Sequence, residues 1–143
     1  ESLAPWLGVA LKAANLKTEA LVFQFREDDV KNNLKAASKA IAALRAAKFK
    51  VSVGMFGKDE DPFKLLKHIS LDLIKVDAAL STDSKALKPL IDDAKANGLH
   101  TIVPEVDNAS MLASMWQMGT HYIQGSYLQL PSPVMNFEFA EIA

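Results

Sequence analysis

Cysteine is absent from all 143 residues. That excludes disulfides and thiolate metal sites, and it leaves a cytoplasmic location as the expectation. Charge of one sign is absent too. The 16 Lys and Arg nearly balance the 17 Asp and Glu, for a net charge of −1. There is no electrostatic argument for duplex DNA or for an anionic membrane surface. No apolar run approaches the roughly 20 residues that a membrane span needs. Nothing at Glu1-Ser2 has the form of a signal peptide, and the missing initiator methionine suggests a piece of a longer chain. No low-complexity segment or interior linker interrupts the sequence.

What is present is a mixed pattern with half of the residues hydrophobic, enough for one domain with a core. Leu3, Trp6, Leu7, Ala10, Leu11 and Ala14 recur at helical spacing and predict a helix over 3–15. Ala20 to Phe25 reads as a strand. Asp28 or Asp29 is then expected to cap a helix with Val30, Leu34, Ala37, Ile41 and Leu44 as its apolar stripe. Its Lys31, Lys35, Lys39 and Arg45 read as a solvated face, since no aromatic residues interleave with them. Phe49 to Phe56 is a second strand, and Phe63 to Ile69 suits a short helix. Ser70 to Asp77 is a third strand, with Lys75 and Asp77 on one face. A helix over 85–97 ends at Gly98. His100 to Val106 is a fourth strand, closed by Pro104. Asn108 caps a helix running to Gly119. Tyr122 to Gly125 is a fifth strand. Beyond it, Val134 to Phe139 alternates as an edge strand or a partner-binding segment would.

Strands alternating with helices predict an α/β fold with a parallel sheet. Two architectures fit the pattern. A small open doubly wound sheet suits the length. Part of a (β/α)8 barrel of the TIM type, which typically takes about 250 residues, suits the motifs. In either case ligands bind at the carboxyl ends of the strands. The polar groups there are Gln24, the Gly54-Met55 pair, Lys75 with Asp77, Glu105 and Gln124. His100 and His121 have no partners at metal-ligand spacing and read as structural.

Taken in order, these segments resemble the EAL domain family of cyclic di-GMP phosphodiesterases. Leu21-Val22-Phe23-Gln24 is similar to the family's LVxE strand. Val53-Gly54-Met55-Phe56-Gly57 is similar to the strand ending Asp-Asp-Phe-Gly. Leu73-Ile74-Lys75-Val76-Asp77 is similar to LKID, and Val103-Pro104-Glu105 to Val-Ala-Glu with one residue missing afterwards. Gly119-Thr120-His121-Tyr122-Ile123-Gln124-Gly125 is similar to GxDYxQG. The resemblance implies that residues 1–143 are the C-terminal portion of a single EAL-type barrel.

The family holds two divalent cations with carboxylates and an Asn, and a metal-bound water attacks the phosphodiester. Here Gln24, Gly54 and Met55 stand where acidic ligands belong. A neutral amide, a hydrogen and a soft sulfur are poor partners for Mg²⁺ or Mn²⁺. The expectation is a chain without catalytic residues and without metal or cofactor, taking cyclic di-GMP as a ligand only. These exchanges and the tail resemble FimX-type EAL domains. That resemblance implies recruitment of a PilZ-domain protein and control of type IV pilus twitching motility.

The expected ligand contacts are Glu105, Pro104, Gln124 and Pro131. Each has a plainer alternative. Glu105 could pair with Lys75, the prolines could be loop punctuation, and Gln124 could hold a backbone group at the rim. Two rival functions stay open: an active phosphodiesterase with an atypical metal site, and a ligand-free protein scaffold.

Overall fold

A computed structural model of the chain describes residues 3–134. Five parallel strands form one sheet in the order β1-β2-β3-β4-β5. They are β1 (Val22–Arg26), β2 (Lys50–Phe56), β3 (Leu73–Val76), β4 (His100–Val103) and β5 (Tyr122–Ile123). The helices are α1 (Leu3–Ala13), α2 (Glu27–Asn32), α3 (Leu34–Ala46), α4 (Ser84–Ala96) and α5 (Ala109–Met118). Each strand pairs with the one before it, so every crossover steps the same way. A doubly wound sheet needs a point where that direction reverses, and this order has none. What is present is an open, sequentially ordered (β/α) sheet, not a closed barrel.

The order also fixes the faces. Right-handed crossovers that all step one way put their helices on one side of the sheet. That side carries the core, where Val51, Val53, Phe56, Ile74, Val76 and Val103 are fully or almost fully buried. Ile41 and Leu44 of α3 and Leu87, Leu90, Ile91 and Ala94 of α4 pack onto it. The α4 residues recur at three- and four-residue intervals, the stripe that a helix lays on a sheet. Each large side chain fully buried there contributes roughly 1.5–3 kcal/mol.

Several boundaries differ from the sequence expectation. The helix expected after β1 is two helices. Arg26, not Asp28 or Asp29, occupies the first cap position, and its side chain makes no capping bond. Asn33 (φ −128°) then breaks the helical path. The apolar stripe runs across the break, so spacing alone could not show it. Residues Pro62–Lys67 form a 3-10 helix rather than an α-helix. The third strand begins at Leu73, because Asp72 is diverted to accept the Val51 N–H at 2.9 Å and to pair with Arg45. Asn108 does cap α5, accepting the Met111 N–H at 2.9 Å, and Gly119 closes that helix in the left-handed region. The alternation expected over 134–139 lies outside the described residues from Met135 onward.

Candidate functional site

The carboxyl ends of all five strands lie along one edge of the sheet, because the strands are parallel. The side chains there come from the second face, opposite the core. On β1, Phe23 and Phe25 pack toward the core while Val22, Gln24 and Arg26 are exposed. On β3, Ile74 and Val76 join the core, and Lys75 faces the other way.

On β2 the alternation fails at an informative place. Val53 and Phe56 are both in the core, although they are three residues apart. The pairing with β3 runs Ser52 to Leu73 and Val53 to Ile74, then jumps to Phe56 opposite Val76. Gly54 and Met55 therefore stand together opposite Lys75. This is a β-bulge, which turns two consecutive positions onto the same face and is common beside binding sites. Met55 has φ +56° and is 42% exposed. A non-glycine residue in the left-handed region is uncommon, and such strain gathers at functional sites.

Gln24 lies across the bulge. A Cβ built on Gly54 would stand 2.8 Å from Gln24 Nε2 and 3.0 Å from its Cδ. The amide fills the space that a side chain at position 54 would need. A divalent pair does not fit this donor set. Among the described residues, no three His, Asp or Glu side chains gather as a cation site.

The remaining acidic groups are engaged or stand apart. Asp77 does not pair with Lys75. It leaves the strand to cap the following turn, accepting the Ala79 N–H at 3.0 Å, and Lys58 reaches it at 3.0 Å. Burial pushes the Asp77 carboxyl up, but hydrogen bonds from Lys58 and Ala79 outweigh it and hold the group below its ordinary value. Glu105 does not pair with Lys75 either. It is exposed, with φ +57°, on the loop after β4.

Gln124 is exposed at the end of β5, and its backbone joins Val106 and Val103 through bonds of 3.0 and 2.9 Å. Asp107 Oδ1 accepts both the Ser126 N–H at 3.0 Å and the Ser126 hydroxyl at 2.7 Å. These bonds lower the Asp107 carboxyl and bring the turn carrying Gln124 against the loop carrying Glu105. Pro104 is buried in the structure and Pro131 is exposed.

Sequence reasoning passed over Glu27. It is 2% exposed, and burial pushes its carboxyl up against the lowering pull of Lys31. Lys31 reaches Glu27 at 3.9 Å and Asp59 at 2.8 Å, tying the end of β1 to the loop after β2. A groove of about 190 Å³ beside them is lined by Glu27, Lys31, Asp59, Pro62, Leu65 and His68, among others. The run Glu27-Asp28-Asp29 reads as a solvated helix start.

At the opposite edge, His100 and His121 stack with centroids 4.3 Å apart. His121 Nδ1 accepts the Thr101 N–H at 3.2 Å. Burial lowers the His121 pKa, and the neighbouring His100 and Lys95 lower it further. A base held below its unfolded value binds fewer protons folded than unfolded, so stability falls as pH drops through the region below 6.5. Tyr122 is the other ring against His100, and Thr101 contributes no charge. Thermal unfolding between pH 7.5 and 5 is expected to show a falling midpoint that flattens in His121→Gln. An unchanged slope would place the titration elsewhere.

Residues 1–131 match the family described as EAL domain. The FimX EAL domain of Pseudomonas aeruginosa, solved bound to c-di-GMP, is 41% identical with a TM-score of 0.89. It is covered over 97% of this chain and 60% of that one. The Xanthomonas citri FimX EAL domain, solved in complex with c-diGMP, is 26% identical with a TM-score of 0.89, over 96% of this chain and 57% of that one. A probable cyclic di-GMP phosphodiesterase of Escherichia coli, PdeA, is 22% identical over 86% of this chain and 18% of its own length. The chain thus spans less than a fifth of PdeA and about three fifths of the FimX EAL structures. No helix among the described residues is long and apolar enough to cross a membrane. With the family matched over more than nine tenths of its length and the strand-end edge built from the corresponding segments, this chain belongs to the EAL domain family.

Proposed function

We propose that this chain is the C-terminal portion of an EAL-type barrel that binds cyclic di-GMP without hydrolysing it. The observation that carries this is the Gln24 amide lying across Gly54, with Met55 beside it. Hydrolysis by two cations needs anionic oxygens to hold them and to acidify a water. None of these three residues offers one. The likeness to FimX EAL domains solved with the dinucleotide supports binding. Glu105 and Gln124 are the groups that would accept and donate hydrogen bonds at a guanine edge, and Pro131 offers an exposed apolar surface to a base. Pro104 contributes through the shape of the loop holding Glu105. In the cytoplasm, the bound state would be read by a PilZ-domain protein in type IV pilus control. A ligand shifts such a contact only by its differential affinity for the free and engaged forms.

Active hydrolysis is the rival reading. Its support is the set of relatives described as cyclic di-GMP phosphodiesterases, at 19–22% identity. Incubating the full-length protein with cyclic di-GMP and Mg²⁺ or Mn²⁺ separates the two. Intact dinucleotide is expected, and a linear product above background would decide for hydrolysis. Glu105→Ala is expected to weaken binding about tenfold, the loss of one charge-assisted hydrogen bond, with an unchanged melting temperature. Equal affinity in calorimetry would remove Glu105 from the contact set.

A further inference from the structure

The sheet edge opposite the candidate site carries a joint built on histidine. His121 stands just before β5, and His100 opens β4. His121 Nδ1 accepts the Thr101 N–H at 3.2 Å, and the His121 N–H reaches Thr101 Oγ1 at 3.5 Å. An imidazole accepts at a ring nitrogen only while it is neutral, and once protonated both nitrogens donate. The bond to Thr101 therefore exists in one protonation state and not in the other. Thr101 is fully buried, so its N–H has no solvent to turn to. Thr101 Oγ1, 3.3 Å from Nδ1, can receive the added proton's bond, but the Thr101 N–H would still face a donor.

The joint is short. β5 is two residues long, and its register with β4 covers Tyr122 and Ile123. Beyond them the Gln124 N–H meets the Val103 carbonyl, and the Gln124 carbonyl takes the Val106 N–H. His121 thus holds one end of the joint, and Gln124 is at the other.

The surroundings of His121 set the sign of its response. The His100 ring of β4 stacks on it, centroids 4.3 Å apart. Lys95 of α4 lies beside the turn before it, with Nζ 2.7 Å from where a Cβ on Gly119 would stand. Tyr122 of β5 faces His100 at 5.9 Å. From α5 come Leu112, Met115 and Trp116, none of which titrates. Among the described residues, no carboxylate pairs with either histidine. A proton on His121 would meet like charge or apolar surface, so the closed joint opposes it. The similar family segment, GxDYxQG, has an aspartate where His121 stands, and an aspartate does not change charge near neutral pH.

We infer that His121 is a proton-operated clasp: neutral, it closes the start of β5 onto β4, and protonated, it releases the Thr101 N–H and loosens Gln124 at the far end of the joint. The only change is a proton gained at Nδ1 and the hydrogen bonds lost with it. The open form binds that proton more readily than the closed form, so acid favours opening. A ligand that needs Gln124 in place then binds more weakly in acid. This last step rests on the cyclic di-GMP reading, whereas the clasp itself does not.

The test is hydrogen–deuterium exchange of the full-length protein at pH 7.5 and 5, corrected for the intrinsic pH dependence of exchange, with cyclic di-GMP titrated calorimetrically at the same two values. The wild-type peptide over residues 98–106 is expected to lose about tenfold in protection at pH 5, the loss of one hydrogen bond. The β3 peptide over residues 72–77 is expected to stay unchanged. His121→Asn places an amide oxygen where Nδ1 accepts but takes up no proton, and is expected to protect residues 98–106 equally at both values. Where the melting temperature shows that His121→Asn fails to fold, His100→Gln decides. It removes the stacked ring and is expected to move the loss of protection to higher pH. Equal wild-type protection at both values, a loss shared by β3, a loss that persists in folded His121→Asn, or an unmoved loss in His100→Gln would overturn the clasp. Wild-type affinity that falls at pH 5 while that of His121→Asn holds would support the link to Gln124, and affinity unchanged with an opened joint would overturn that link. No binding at either value would overturn the receptor reading and leave the clasp to the exchange result.

Discussion

Phe56→Ala is expected to cost about 4 kcal/mol of folding stability, in the range for an aromatic side chain deleted from a packed core. Phe56 is fully buried and meets the Phe63 ring edge-on at 5.3 Å. The cavity would lie between the last residue of β2 and the 3-10 helix that follows it. Neither wall can close easily. One is sheet backbone, and the other is pinned where Leu65 enters the core. Urea unfolding monitored by circular dichroism measures the loss. A change under 1.5 kcal/mol would mean that Phe56 is less firmly packed than its burial indicates. Because the bulge alone turns Phe56 to the core side, the same result also tests the bulge. Under regular alternation from Val53 the ring would face outward, and its removal would cost little.

Gly125→Ala is expected to be nearly as damaging, at about 3 kcal/mol, the upper part of the range for forcing atoms into occupied space. A Cβ at this position would stand 2.2 Å from the Val106 carbonyl oxygen and 2.4 Å from its nitrogen. Both are backbone atoms, so no rotamer change relieves the clash. The ends of β4 and β5 must separate. The Val106 N–H bond to the Gln124 carbonyl and the paired Ser126 bonds to Asp107 would go with them. Chemical unfolding gives the stability. Cyclic di-GMP titration of the folded fraction is expected to show weaker binding, because the loops bearing Glu105 and Gln124 no longer meet. Wild-type stability in the variant would show that the two backbones are not held this close.

The two cases show what was legible in the sequence. All five strands and their parallel sense follow from short β-branched runs alternating with amphipathic helices. Gly119 and Asn108 announced the two ends of α5 through their own chemistry. The bulge left no comparable mark. Val51-Ser52-Val53-Gly54-Met55-Phe56 alternates cleanly through Val53, and only pairing with β3 reveals that one residue too many is present. Asp77 was misassigned for a related reason. Strand periodicity places it beside Lys75, but the strand ends at Val76, and the carboxylate turns to cap a turn and meet Lys58 from a different loop. Contacts between loops distant in sequence have no periodic signature. Gln24, Lys75, Glu105 and Gln124 could be picked out because each breaks an otherwise apolar segment, whereas Gly54 and Met55, neither of them polar, stand out against the family's Asp-Asp. What each one touches could not.

The sequential strand order carries a consequence for how the sheet breathes. β3 has a partner on both sides, whereas β1 and β5 each have one among the described strands. In native-state hydrogen–deuterium exchange, the amides of Ile74 and Val76 would be the last to take up deuterium, opening only with the whole molecule. Gln24 lies on β1 and Gln124 just past the end of β5, each two strands from β3, so a ligand that reached both would slow labelling across the whole width of the described sheet.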